Sequence, residues 1–397
     1  MIGKKHLFAV ALVAALFVGC DDTEEPAGNA PVPVPANAGE ALANYAAIVH
    51  ASYLDSHAAA LDLKMAVDDF VMDPTEPKMA AAKAAWKASR EPYLLTEVYR
   101  FYEGPIDIEP GGPEGLLNAW PLDENHIDYV DGSPTAGIVN NTDIELTPES
   151  LEAQNELDGE ANIATGYHAV EFLLWGQDVS DTDAGARPHT DYISGEGGTA
   201  ANQDRRGTYL QVVAGMVPTH LEGLVNAWAD GQTNYRSEFV ALDPAEGLRR
   251  ILTGMIVLSG FETGGERLQP ALDSGSQEDE HSCFSDNTHV DMIQDAVGVQ
   301  NVYLGTYTKL DGTTVSGTSL KDVIAAVDPA LADQLAAEIA DSVAKARAME
   351  TPFDRAIALD NDTGRAGVQA LITALRQQER TMETVFTMFG LTIPQPE

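Results

Sequence analysis

Basic residues and cysteine are what this chain has least of. Of 397 residues, 23 are Lys or Arg against 62 Asp or Glu, a formal charge of −39. The 14 Arg and 9 Lys are scattered along the whole length. A nucleic-acid partner has to be met by clustered cations, so that class is excluded. An acidic surface of this size attracts cations instead. Cysteine occurs twice, at Cys20 and Cys283. Alternating apolar and polar runs are almost absent, which argues against a mainly β class. The charge does not imply disorder, because 44% of the residues are hydrophobic and can fill a core. The length corresponds to roughly two domains.

The first twenty residues, MIGKKHLFAVALVAALFVGC, place Lys4 and Lys5 ahead of an apolar stretch from Leu7 to Val18. Such a stretch is too short to cross a bilayer, which takes about twenty residues, so 1–20 reads as a signal segment. Its Phe-Val-Gly-Cys ending resembles a bacterial lipobox, with Phe17 where Leu is usual. This predicts lipidation of Cys20 and a location on the periplasmic side of the cell envelope, with the choice of inner or outer membrane open. Cys283 is then the one remaining thiol, and no disulfide forms within the chain. Residues 21–38, rich in acids, prolines and small residues, read as a flexible tether.

From Gly39 onward the apolar spacing is helical. Leu42, Tyr45, Val49, Leu63, Val67 and Phe70 predict one helix over about 40–72. A second is expected from Glu76 to Tyr102, kinked at Pro92, and further ones at about 147–157, 162–177, 204–229, 244–270, 287–298, 328–349 and 364–390. The class is all-α, with long irregular stretches at 103–146, 178–203 and 271–286 whose length points to function. A faint echo between Tyr45–His57 and Tyr209–His220 suggests two bundles of similar design.

The most informative segment is ANIATGYHAVEFLLWGQD, residues 161–178. Ile163, Tyr167, Val170 and Leu174 form an apolar stripe that Phe172 and Leu173 extend most of the way round, so the helix is buried. His168 and Glu171 nevertheless share one face, with Trp175 one turn further on. A buried carboxylate must be paired, bind a metal or take up a proton. Two readings follow: the pair satisfies itself or meets an Arg, or it supplies two ligands to one metal ion. Gly166 just before it would let another backbone or a ligand approach closely.

GYHAVEFLLWGQD resembles the G-x-H-x-x-E motif of the imelysin family, bacterial envelope proteins that include an insulin-cleaving membrane protease and the iron-regulated protein A group. REPYLLTEVYRFYEGPID, NAWPLDENHIDYVDG, GTAANQDRRGTYL, ILTGMIVLSGFETGGERL and EDEHSCFSDNTH are similar to the latter branch and follow in the same order. The resemblance spans about residues 39–391. It implies two helical-bundle domains related by duplication, here 39–203 and 204–391, with the motif helix facing their interface, and a link to iron uptake.

A zinc peptidase would need three protein ligands, a bound water and a base. The H-E-x-x-H signature is absent, and only His281, His289 and Glu280 offer to complete such a site. Iron, as Fe²⁺ or Fe³⁺, asks less: inward-facing carboxylates and imidazoles in a bundle suffice. The candidate ligands are His168, Glu171, Glu97 and Asp286. Gly166, Arg100, Trp175, His281, Ser285 and His289 are candidates for the pocket around them. Each has a plainer explanation: Glu97 pairs with Arg90 or Arg100, Ser285 or Asp286 caps the helix starting near Asn287, Glu262 pairs with Arg267, and Trp120, Trp175 and Cys283 fill core. His50, His57, His126, His189 and His220 read as surface or satisfied residues. The expected partners are a metal ion, an envelope iron-uptake component and the membrane reached through the lipid anchor. Zinc is the alternative metal, and a non-metal small ligand the alternative cargo.

Overall fold

The Ala-rich opening stretch folds as α1 (Ala38–Met72), with Leu42, Tyr45, Val49, Leu63, Val67 and Phe70 on its buried face. It stops at Asp73, which precedes Pro74 and leaves the helical region with φ −148°. The computed structural model describes residues 30–180 and 182–392. The signal segment, Cys20 and residues 21–29 of the tether lie outside them. Of the rest of that segment, Val32 and Val34 pack on the core, and the Val32 N–H donates to the Met388 carbonyl at 2.9 Å.

α2 (Glu76–Leu94) has Pro77 in its first turn, where a missing N–H costs nothing. The sequence predicts that it continues to Tyr102. It ends earlier because the Thr96 hydroxyl takes the Tyr93 carbonyl at 2.6 Å, and Glu97–Tyr99 then tighten into a 3₁₀ turn. The motif helix α3 spans Gly166–Trp175, shorter than the expected 162–177. Thr165 is extended (φ −134°, ψ 177°) and Gly166 left-handed (φ +82°), so no helix runs through them, and the Asn155 side-chain oxygen accepts from the Ala164 and Thr165 N–H groups at 2.9 and 3.2 Å.

α4 is Gln203–Trp228 and α5 Pro244–Ile256. The expected continuous helix to residue 270 is instead α5, a π-helix over Val257–Leu268 and a last turn at Gln269–Ser274. α6 (Thr288–Leu304), α7 (Pro329–Arg347) and α8 (Asp362–Phe389) complete the long helices. One hairpin, β1 (Thr306–Thr308) with β2 (Thr314–Ser316), pairs Tyr307 with Val315 and escaped the periodicity argument because it is so short. The class is all-α, as expected. No helix among the described residues is long and apolar enough to cross a membrane.

α1 packs on α2 and α4, and α4 on α3; the π-helix, α6, α7 and α8 pack among themselves. The larger core runs from Ala38 to Phe389, so it draws on both ends of the chain. A smaller one joins Leu268, Met292, Val343 and Leu371. The long stretch 103–146 is not featureless: it carries single-turn helices at Glu114–Leu117, Glu124–Ile127 and Gly137–Asn140. Asp128 fastens it inside, accepting from Arg187 at 2.6 Å and from Arg206 at 2.6 and 3.0 Å.

Candidate functional site

Gly166 starts α3 with φ +82°, and a Cβ there would stand 2.6 Å from the Leu117 carbonyl oxygen. Glycine is therefore required twice over, by the left-handed backbone and by the close approach of the Glu114–Leu117 turn. One turn later His168 and Glu171 are both buried. Their Nδ1 and Oε2 atoms lie 2.9 Å apart, and the other carboxyl oxygen accepts from the Ser285 N–H at 3.0 Å and the Ser285 hydroxyl at 2.6 Å. Ser285 thus binds Glu171 and does not cap α6, where no side chain caps the first turn. His168 Nε2 is buried and has no hydrogen-bond partner.

His281 comes from the opposite half of the chain and brings its ring to 5.0 Å from His168, centre to centre. Its Nδ1 is held 2.8 Å from Asp291. Asp291 also accepts from Arg90 at 3.2 Å, Ser282 at 2.5 Å and Asn287 at 3.0 Å. Each histidine is therefore oriented through Nδ1 by a carboxyl group, with Nε2 on the other side of the ring. Trp120 packs against both rings, tilted to His168 at 4.9 Å and edge-on to His281 at 6.5 Å. His281 and Trp120 close the inner end of a cleft of about 190 Å³ whose outer wall carries Glu114, Glu156, Glu160, Glu262 and Glu266 with Arg100 and Arg267.

The electrostatics follow from burial. Glu171 is pushed up to about 8 by desolvation, which the Ser285 bonds and Arg90 only partly oppose. His168 is held well below its usual value by burial and by Arg90. At neutral pH the pair is accordingly uncharged and shares one proton. His281 is lowered to about 4 by burial and Arg267, against the pull of Asp291. Burial alone would raise Asp291, but Arg90 and His281 hold it well below the carboxylate range.

The other candidates divide. Glu97 is buried next to this site, but its Oε2 is taken by Arg267 at 2.6 Å and by Arg100 at 2.8 Å, with Oε1 left free. Arg100 lies on the cleft wall as a partner of Glu97 and Glu114. Trp175 faces away, packed on Trp86 at 5.4 Å under Lys83 and Lys87. Cys283 is a buried free thiol. Asp286 groups with Asp178 and Asp354, and His289, half-buried, keeps its Nδ1 without a partner. Among the described residues no third Asp, Glu, His or Cys donor joins His168 and Glu171 in a metal-sized group.

Sequence reasoning did not find Asp291 or the role of Arg90. Their signal was faint: a completely buried Arg flanked by the aromatics Trp86 and Tyr93 on one helix, and an acid ten residues past His281.

These features define a class, an all-α protein with an internal histidine–carboxyl site assembled from both halves of the chain. The chain belongs to the imelysin family, whose model matches residues 49–382. It is 24% identical over 345 residues to iron-regulated protein A of Synechococcus elongatus, covering 85% of this chain and 82% of that one. The fold is shared with a crystal structure described as an iron-regulated protein A precursor from Parabacteroides distasonis (TM-score 0.70, 19% identity, 91% of this chain and 97% of that one). It is shared also with an imelysin-like protein from Psychrobacter arcticum (TM-score 0.63, 16% identity, 92% and 100%).

Proposed function

We propose that this protein is an iron-binding component of the bacterial envelope, tethered through Cys20, that takes up an iron species in the cleft behind Trp120 and presents it to an uptake system. The observation that carries this reading is the buried, unpartnered Nε2 of His168, on a ring whose Nδ1 is fixed by Glu171. A carboxyl group that orients a histidine through one nitrogen leaves the other to the metal. Nature of the donors fits the cargo: imidazole suits iron, and His281 repeats the arrangement with Asp291. Two imidazole centres 5.0 Å apart are close enough for one ion, since each would stand roughly 3 Å from a metal at ordinary bond lengths.

Glu171 then acts by orienting His168, with its own oxygens already engaged by Ser285 and the imidazole. Two protein nitrogens do not complete a coordination sphere, so the cargo is better pictured as iron carrying ligands of its own, which the cleft accommodates. Its five glutamates against two arginines favour a positive guest. The name of the Synechococcus relative agrees with an iron connection.

The test is a titration of chelator-stripped protein with Fe²⁺ under anaerobic conditions and with Fe³⁺ citrate. His168→Ala and His281→Ala should each weaken binding at least tenfold, about 1.4 kcal/mol, while remaining folded. Equal titrations for wild type and both variants would make the site purely structural. A zinc peptidase would instead cleave insulin chains after zinc is restored to chelated enzyme, and lose that activity in both variants. We expect no such cleavage, because no carboxylate beside His168 is free to serve as a base.

A further inference from the structure

Asp178, Asp286 and Asp354 come from three separate segments: the loop after α3, the loop before α6 and the short helix Phe353–Ile357. Each offers a carboxylate oxygen, and the three atoms all lie within 4.8 Å of one another. Asp178 and Asp354 are buried and Asp286 half-buried. Asp178 Oδ2, Asp286 Oδ1 and both oxygens of Asp354 have no hydrogen-bond partner.

A fourth carboxyl group makes an independent case that something is to be bound here. Glu280 is 0% exposed, and neither of its oxygens is hydrogen-bonded. It faces Asp354 and Asp286, and the nearby Thr288 hydroxyl lies outside hydrogen-bonding geometry. The basic side chain acting on Asp286 is Lys87, and nothing comparable acts on Asp178 or Glu280. Carboxylates so placed repel one another, and burial adds the cost of their lost hydration, which a bound cation would offset.

We infer that Asp178, Asp286 and Asp354, backed by Glu280, form a site for a hard divalent cation of the calcium type, separate from the histidine cleft. All the donors are oxygens, which excludes the softer metals that prefer nitrogen or sulfur. Calcium–oxygen bonds run 2.3–2.6 Å, so two ligand atoms on opposite sides of one ion stand roughly 4.6–5.2 Å apart. The 4.8 Å span fits inside that limit. Magnesium, with its shorter bonds and reluctance to lose water, suits such an all-protein cluster less well.

The site's purpose follows from its place in the chain. Asp286 is the next residue after Ser285, which holds Glu171, and His281 lies five residues earlier on the same loop. A cation joining that loop to Asp178 and Asp354 would brace the segment that supplies the cleft with its second-half residues.

The experiment uses the full chain freed of metal with EDTA and dialysed. Calorimetric titration with Ca²⁺ should give one saturable site per chain, and Ca²⁺ should raise the melting temperature. Asp286→Asn and Asp354→Asn should each weaken Ca²⁺ binding at least tenfold and abolish the thermal shift. In EDTA the sign reverses: Asp354→Asn should melt at or above wild type, since one source of repulsion is gone. His168→Ala should bind Ca²⁺ as wild type does, which separates this site from the proposed iron cleft. Absence of saturable Ca²⁺ binding up to millimolar concentrations, binding that survives both Asn variants, or binding lost in His168→Ala would each overturn the assignment.

Discussion

The single proton shared by His168 and Glu171 decides what that pair does. With Ser285 donating twice to one carboxyl oxygen, the other must face His168 Nδ1. Glu171→Gln would keep this shape but turn its amide N–H₂ toward the imidazole, because the Ser285 N–H can only donate to the amide oxygen. The imidazole proton is then locked on Nε2, where a metal would bind, whereas in the native pair a metal can expel the Nε2 proton while the shared proton stays on Nδ1 and leaves Glu171 as a carboxylate. We expect Glu171→Gln to retain near-native stability yet bind iron at least tenfold more weakly; iron titration with parallel denaturation curves measures both, and undiminished binding would refute the orienting role. Gly166→Ala acts differently. Its Cβ would meet the Leu117 carbonyl at 2.6 Å on a backbone of φ +82°, so a loss of about 1–3 kcal/mol in chemical denaturation is expected.

Among the elements, the π-helix, like the short hairpin, was not anticipated from sequence. Steps of three and four place Ser259, Glu262 and Glu266 on one α-helical stripe, but the observed ion pair is Glu262 with Arg267, five residues on, at 2.9 Å. A π-helix, whose hydrogen bonds run from i to i+5, brings such a pair together. Arg267 also bonds Asp295 of α6 at 3.0 Å and Glu97 of the 3₁₀ turn at 2.6 Å, so one guanidinium joins three elements. Arg267→Leu would leave three acids without their common partner and should cost roughly 3–5 kcal/mol by denaturant titration. A loss below about 1 kcal/mol would mean that the network relaxes without it.

Periodicity located all eight long helices, because burying one face imposes a three-to-four spacing that survives in sequence. Boundaries set by local conformation, such as the Thr96 hydroxyl on the Tyr93 carbonyl or the extended Thr165 before α3, leave no such trace. The same holds for the site. His168 and Glu171 stood out as polar residues on a greasy helix, and Ser285 and His281 lay in a conspicuous motif. Asp286 was legible as a possible metal ligand, but its grouping with Asp178 and Asp354 depends on three loops meeting, which no spacing encodes.

For the molecule as a whole, pH should act through carboxyl groups that burial has raised. Desolvation lifts Glu171 to about 8, Asp178 and Glu124 to about 7, and Asp286 to about 6. A group whose folded pKa exceeds its unfolded value, near 4 for these acids, stabilises fully below that unfolded value and loses the contribution as pH rises through the folded one. His168 and His281, lowered by burial, have the opposite sign and lose stability as pH falls below about 6.5. Among the described residues ten acids are raised by burial against six histidines lowered by it, and on a chain of net charge −39 this sets the direction. In EDTA, thermal denaturation should show a lower melting temperature at pH 8 than at pH 5.5, and Ca²⁺ should narrow the gap. A flat or rising profile in EDTA would contradict this balance.

The docking of Val32 onto the end of α8 fixes where the leash leaves the body. Nine residues lie between Cys20 and Ala30, and whatever their path the ten steps from one Cα to the other reach at most about 36 Å. A lipid on Cys20 would hold the edge where α1 begins and α8 ends within that distance of the bilayer. An uptake partner in the same membrane would then meet this protein at an effective concentration on the order of millimolar, so hand-over of iron could proceed through a contact too weak to survive purification.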